Sequence, residues 1–407
     1  MKLLVVASSI YDKNIFAKRK GITGLEIMVR DILDGVSDQI ECSMYATHLK
    51  NKGAQLGRIQ LLSNSCGLFH KVVKSVGARR FMQVLKDCNG RPFREKMELA
   101  KATILLEHYI EEIAPDIINF HDLNDWNTFL VKRLEKRGIK ILLTDHLYIG
   151  TKERTYGYEN LRNNEEMVFN NAPTNLYVSF VSTGMRERFL NDYPNFPKEK
   201  AFCVVNGTNV KIKDVTTMEK PAIFEKLKGK KVLLCIGAFN ARKNQRQIID
   251  TFINMGEDIK EKVAVLFIGV GRKAKIKYDQ GVTGGSNSLY YVDFVAPNDM
   301  ASYYNSSDGT ITASLNESFG LTIIEGFCYG KPAILFNDID SFCDLYDERV
   351  CVPIKEHTIE GIRLAVEEMI EKKWDSDYIK TYLNKFTLER VSRQYFEIYN
   401  IIADYAE

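Results

Sequence analysis

Short, nearly continuous apolar runs alternate with amphipathic helical patterns along this 407-residue chain, and they fall into two series. The first contains "KLLVVAS", "DIINFH" (116–121), "IKILLTDH" (139–146), "LYVSFVS" (176–182) and "KAFCVVN" (200–206). The second contains "KKVLLCIGAF", "VAVLFIGVG" (263–271), "SLYYVDF" (288–294), "DGTITASL" (308–315) and "KPAILF" (331–336). A strand that is apolar at successive positions has both faces buried, which predicts parallel sheets covered by helices on each side. The helices follow from period-3.6 apolar spacing. In "LEIMVRDILDGV" Ile27, Ile32, Leu33 and Val36 share a face, as do Ile248, Ile249, Phe252 and Ile253 in "NQRQIIDTFINM". "PNDMASYYNSSD" predicts a short helix capped by Asn298 or Asp299.

The first series ends at "VVNGTNV", and a strandless Lys- and Glu-rich stretch follows, which places a domain boundary near residues 207–225. The expected organisation is α/β, with two doubly wound, Rossmann-like units of roughly 200 residues each. Residues 1–210 form the first unit and 211–385 the second; a helix within 386–407 packs back toward the first. Ligands are expected where the strands' carboxyl ends face a cleft.

With 56 basic and 53 acidic residues the net charge is +3, which argues against a general nucleic-acid binder. The eight cysteines are scattered, with no C-x-x-C pair, and read as buried thiols rather than a disulfide frame or zinc site. The N-terminal run is short and β-branched, as a first strand is and a secretory signal is not. No stretch reaches the roughly 18 apolar residues of a membrane span, so the expected location is cytoplasmic.

Chemistry concentrates in "SLNESFGLTIIEGFCYGKP" (314–332). A strand ends near Leu315, Glu317 sits in the loop, and a helix starts around Phe319 to Leu321. The first N–H groups of a helix lack internal partners and form an anion site, and Gly320 lets a phosphate approach the backbone. Glu325 lies roughly 7.5 Å further along the axis, five residues beyond Gly320. A diphosphate on the helix end would then have a carboxylate on either side for hydroxyl groups. The plainer alternative makes Glu317 a solvated cap and Glu325 an exposed helix residue. Against it, Ile323, Ile324, Phe327 and Cys328 crowd Glu325, and a charge in such company needs a partner.

"ESFGLTIIEGFCYGKPAI" resembles the Glu-x7-Glu signature of the retaining GT-B glycosyltransferases of glycosyl transferases group 1. "LCIGAFNARKNQRQIIDTF", "LFIGVG" and "DFVAPNDMASYYNSSDGTITAS" resemble the family's preceding segments in order. "GITGLEIMVRDIL", "TDH" and "VVNGTNV" resemble its N-terminal half more loosely. The resemblance implies two Rossmann-like domains facing across a cleft and transfer of a sugar from a nucleotide-sugar donor to a hydroxyl acceptor, with retention and no metal or other cofactor. Glu317 would contact the donor sugar and Glu325 the ribose hydroxyls. Phe319, Gly320, Leu321 and Thr322 would offer amides to the diphosphate, and Lys243, with Arg242, would neutralise it. His146 would sit across the cleft, and Gly24 would let the first-domain loop approach the phosphates. An arginine common directly after the glycine of "IGAF" is replaced by Ala238, so the second phosphate cation is absent unless Arg242 supplies it. A sugar-nucleotide epimerase on the same architecture, or a non-catalytic sugar-nucleotide sensor, are the alternatives.

Other signals carry less. "GVGRKA" (269–274) matches G-x-G-x-x-A, but in this context marks a turn of the second unit. "DID" (338–340) reads as a solvated loop rather than a metal-binding pair. His121 and Asp122 read as strand-end capping. Residues 66–101 hold nine Lys or Arg against three Asp or Glu. With Phe69, Val72, Val73 and Val76 on one side, they form a basic amphipathic face, either simply solvated or suited to anionic lipid at the inner membrane surface and a lipid-linked acceptor.

Overall fold

The apolar runs become strands whose residues are buried one after another. β1 (Lys2–Ala7) is wholly buried from Leu3 to Ala7, and β10 (Val263–Ile268) is buried throughout. The computed structural model describes residues 1–9, 24–47, 52–150, 159–208, 218–269, 288–296 and 299–404. Its first sheet adds β2 (Glu41–Ala46), β3 (Ala54–Leu56), β4 (Ile59–Leu61), β5 (Ile117–His121), β6 (Lys140–Asp145), β7 (Leu176–Phe180) and β8 (Ala201–Cys203). The order is β3-β4-β2-β1-β5-β6-β7-β8, parallel except for the β3–β4 hairpin. The second sheet contains β9 (Lys231–Ile236), β10, β11 (Leu289–Val292), β12 (Gly309–Ile311), β13 (Ala333–Phe336) and β14 (Cys351–Ile354). Its order, β11-β10-β9-β12-β13-β14, is parallel throughout and is the doubly wound 3-2-1-4-5-6 pattern. The fold is GT-B: two Rossmann-like sheets in one chain.

Four strands escaped the apolar pattern. β2 and β14, "ECSMYA" and "CVPI", dilute it with polar residues and Pro353, which the sheet-edge place of β14 tolerates. β3 and β4 have three residues each, too few for a periodicity.

The helix Leu388–Asp404 buries Val391, Ser392, Tyr395, Ile398, Tyr399 and Ile402 on one face. That face closes a core with Leu3, Val5 and Ala7 of β1 and with Met28, Val29, Ile32 and Leu33 of the helix Gly24–Val36. Polar ties fix its register: Asn119 Nδ2 donates to Tyr399 Oη at 2.8 Å, and Lys140 Nζ donates to the Ala403 carbonyl at 2.9 Å. Just before it, Thr387 bridges Thr208 in parallel, so the chain leaves the second sheet and ends against the first.

The two helices meet at Gly35, where a Cβ would lie 1.9 Å from Ser392 Oγ and 2.5 Å from its Cβ. Gly35→Val should therefore push the terminal helix outward and lower stability by about 2 kcal/mol, read as a lower urea midpoint. Gly67→Ala, within the helix Cys66–Val76 where a Cβ meets nothing within 4 Å, is the control and should not lower the midpoint.

Candidate functional site

In a doubly wound sheet the ligand crevice lies outside the carboxyl ends of the two strands where the order reverses. Here these are β9 and β12. The loop after β9 begins at Gly237, whose φ of 143° favours glycine, and a Cβ on Gly269 would stand 2.0 Å from the Gly237 carbonyl oxygen. The loop then turns on Asn240, whose Oδ1 accepts the Lys243 amide at 2.9 Å. Gln245 Nε2 holds the Ala238 carbonyl at 3.0 Å. The Leu315 amide donates to the Arg242 carbonyl at 2.9 Å, which ties this loop to the one after β12.

That tie brings the charges together. Lys243 Nζ lies 2.5 Å from Glu317 Oε2, and Arg242 Nη1 donates to the Asn316 carbonyl at 3.3 Å. Glu317 is only 8 % exposed. Burial pushes its carboxyl up, but Lys243 and Arg242 more than offset this and hold it below the ordinary 4.5. Arg242 thus stands close enough to Glu317 to act on its charge.

The helix Leu321–Cys328 starts at the late end of its expected range, opened by Gly320 at φ 91°. A Cβ there would meet Ile323 Cδ1 at 2.8 Å and Glu317 Cγ at 3.5 Å. Leu321 and Thr322 form the first turn, whose N–H groups have no partner within the helix. Phe319 is buried against Phe386, with ring centroids 5.7 Å apart. One helix turn on, half-buried Glu325 accepts a 2.6 Å hydrogen bond from Tyr304 Oη. Burial raises the Glu325 carboxyl and the Tyr304 bond only partly offsets it. The two glutamates therefore differ in kind: one is clamped by cations, the other by a phenol.

His146 directly follows β6 on the first sheet. Its amide donates to Asp122 Oδ1 at 3.1 Å, and its Nε2 lies 2.9 Å from His121 Nδ1. Burial holds His146 down at about 4, and burial, then His146, holds His121 well below its ordinary value. Both rings are neutral at pH 7. Asp122, with φ 64°, is pushed up to about 6 by burial. His121 and Asp122 thus orient His146 rather than merely capping a strand. Gly24 opens the helix Gly24–Val36, and the glycine loop before it lies outside the described residues.

Asp340 is not solvated: it is buried and ion-paired with Arg188, while Asp338 bonds His357 Nε2 at 2.8 Å. Asp299 begins the helix Met300–Ser306 without a side-chain cap, and Asn298 lies outside the described residues, as does "GVGRKA" beyond Gly269. Among the cysteines, Cys66 and Cys343 are exposed and Cys203 is half-buried. Tyr304 was missed because a tyrosine in a short helix reads as core; Glu325's need for a partner was its only trace.

Residues 217–385 match the profile of the family Glycosyl transferases group 1. A stretch of 107 residues is 28 % identical to alpha-monoglucosyldiacylglycerol synthase of Streptococcus pneumoniae, covering 26 % of this chain and only 24 % of that relative. Among solved structures, alpha,alpha-trehalose 6-phosphate synthase from Burkholderia multivorans superposes with TM-score 0.71 at 10 % identity over 99 % of both chains. Sucrose-phosphate synthase from Thermosynechococcus elongatus gives 0.68 at 15 % over 98 % of this chain and 99 % of its own. Anabaena HepE in complex with UDP gives 0.65 at 14 % over 98 % and 100 %. At such identities the structures speak for the fold alone.

The ion pair is open to a stability test. Breaking a buried pair leaves an uncompensated charge, so Lys243→Met should cost about 3 kcal/mol at pH 7 by urea unfolding. Because Lys243 holds the folded Glu317 below its unfolded value and its loss lets burial push the carboxyl up, this difference should be largest at neutral pH and shrink as pH falls through the wild-type folded pKa. A pH-independent difference would show that the lysine acts by packing alone.

Proposed function

We propose, on the match of residues 217–385 to the glycosyl transferases group 1 family, that the chain transfers a hexosyl group from a nucleotide-sugar to a hydroxyl acceptor with retention of configuration. The observation that carries this reading is the Lys243–Glu317 pair, set beside a glycine-opened helix end at the switch point of the second sheet. A diphosphate meets the amides of Leu321 and Thr322, approached over Gly320, with Phe319 fixing the turn from below. Lys243 and Arg242 supply the cations, and the transfer is metal-independent because these groups do the neutralising. Glu325, held by Tyr304, keeps its second oxygen for the ribose hydroxyls, and Glu317 faces the sugar. Gly24 brings the first sheet's helix to the phosphates, and His146 presents a neutral imidazole to the donor sugar and acceptor.

In the reaction the anomeric carbon–oxygen bond to the diphosphate breaks as the acceptor oxygen bonds the same carbon from the same face. The acceptor's proton passes to the departing phosphate oxygen. Negative charge grows on that phosphate, so the cations act most strongly in the transition state.

UDP-, GDP- and ADP-sugars should be screened for thermal stabilisation and then for turnover, since a specific ligand raises apparent stability by mass action. Lys243→Ala should lower kcat by about a hundredfold with little change in donor affinity, as loss of a transition-state charge partner does. Glu325→Ala should weaken donor binding about tenfold. Wild-type kinetics in both variants would refute the reading, and donor binding without turnover or hydrolysis would favour a sensor.

The acceptor is proposed to be lipid-linked and reached at a membrane surface. Residues 66–101 form the helices Cys66–Val76 and Ala78–Asp87 and the start of Phe93–Ile113. Val72 and Val84 are buried, while Lys71, Lys74, Arg79, Lys86 and Arg94 are exposed. Phe93 is 80 % exposed and Met82 52 %, an apolar pair among cations suited to anionic lipid. No helix among the described residues is long and apolar enough to cross a membrane. Vesicles of phosphatidylglycerol and phosphatidylcholine should sediment the protein at low salt and release it at high salt, and Phe93→Ser with Met82→Ser should weaken binding several-fold. No sedimentation at low salt would sink the membrane assignment.

A further inference from the structure

Two carboxylates of the segment after β13 reach across to one helix of the first sheet. Asp344 accepts from the Thr183 amide at 2.8 Å and from Thr183 Oγ1 at 2.6 Å. It thereby caps the helix Thr183–Asp192, whose own N-cap residue, Ser182, makes no side-chain cap bond. One turn and a half along, Asp340 takes both Nε and Nη2 of Arg188, at 3.1 and 2.6 Å. Between them the backbones touch: a Cβ on Gly184 would lie 2.2 Å from the Asp340 carbonyl oxygen.

Arg188 has a second set of partners. Its Nη1 donates to the Ile149 carbonyl at 2.7 Å and its Nη2 to the Tyr148 carbonyl at 2.8 Å, and the guanidinium lies 4.5 Å from the Tyr148 ring centroid. The amides of the same loop are held from the other side. Glu165 accepts from Ile149 and Gly150 at 2.7 Å each, Asp145 accepts from Leu147 at 2.9 Å, and Asp122 accepts from His146 at 3.1 Å. The loop that begins at His146 is thus pinned by first-sheet carboxylates on its amides and, through Arg188, by a second-sheet carboxylate on its carbonyls.

We propose that Arg188 and Asp340 are positioning residues, which set the His146 loop according to where the second sheet stands. The side chains are 14 % and 5 % exposed, and the fork of one guanidinium spans both partners, a geometry that lysine cannot reproduce. Movement of the second sheet relative to the first, such as donor binding would drive, passes through this guanidinium to His146. The catalytic consequence rests on the transfer reading above; the mechanical coupling does not.

Hydrogen–deuterium exchange by mass spectrometry on the full chain tests the coupling. Asp340→Asn should speed exchange about tenfold or more in peptides spanning 146–150, although the substitution lies in the second sheet, and leave the helix Gly24–Val36 unchanged. Asp344→Ala should loosen residues 183–186 without that effect. Unchanged exchange at 146–150 in folded Asp340→Asn overturns the proposal. If that variant does not fold, Arg188→Lys, which keeps the charge and loses the fork, decides by the same readout. With UDP-glucose, or whichever donor the wild type turns over, Asp340→Asn should lower kcat about tenfold and leave donor KM within about twofold. A rise in KM alone would also overturn it. A wild type inert toward every donor would end the transfer reading yet leave the exchange result to decide this one.

Discussion

A parallel sheet buried on both faces can place polar chemistry only beyond its strand ends. β1, β5, β6 and β7 of the first sheet are buried almost residue by residue, and so are β9, β10 and β13 of the second. Three of the charged and titratable groups of the candidate site therefore lie in loops at a carboxyl edge: Glu317 after β12, Lys243 after β9, His146 after β6. Because both sheets obey the same constraint, two sets of functional side chains arise in one chain, and the interactions between the sheets decide how one set meets the other.

The sets differ electrostatically. On the second sheet charge is kept: two cations hold Glu317 ionised in spite of its burial. On the first sheet charge is suppressed, since burial holds both histidines neutral and pushes Asp122 and Asp145 up. A nucleotide diphosphate needs fixed cations on its own side and gains little from charge across the cleft. A neutral imidazole can hydrogen-bond a sugar hydroxyl without competing for the phosphates. The asymmetry fits a donor bound to the second sheet and an acceptor side that orients without charging.

Ten of the fourteen strands among the described residues are legible because both-face burial writes itself as an unbroken apolar run. The second-sheet site was legible for a related reason: Glu317, Gly320 and Glu325 lie within nine residues of chain, so their spacing along one loop and helix carries the geometry. Contacts between distant segments were not legible. Nothing around Asp340 announces that Arg188, 152 positions earlier, will bury it, and "DID" reads locally as an exposed acidic loop. Tyr304 and Asp344 fail for the same reason, each acting on a partner that only the packing of sheets and helices brings near.

These distant contacts are where the two sheets become one device. A helix N-terminus capped from its own segment would be indifferent to the rest of the chain; the helix Thr183–Asp192 is capped by Asp344 instead, so its first turn depends on the second sheet's position. Gly184 allows the approach, because a side chain there would hold the backbones apart. Removing Asp340 would leave Arg188 short of a partner beside the loop of His146, and removing Asp344 would leave the first turn at Thr183 uncapped. The helix Leu388–Asp404 works in the opposite sense, since it covers the first sheet's core with residues that follow the second sheet in the chain. One link ties the sheets through apolar burial, which tolerates small sliding, and the other through directional bonds, which do not. On the positioning proposal, motion between the sheets pivots about the ion-paired contact, the one that holds the His146 loop.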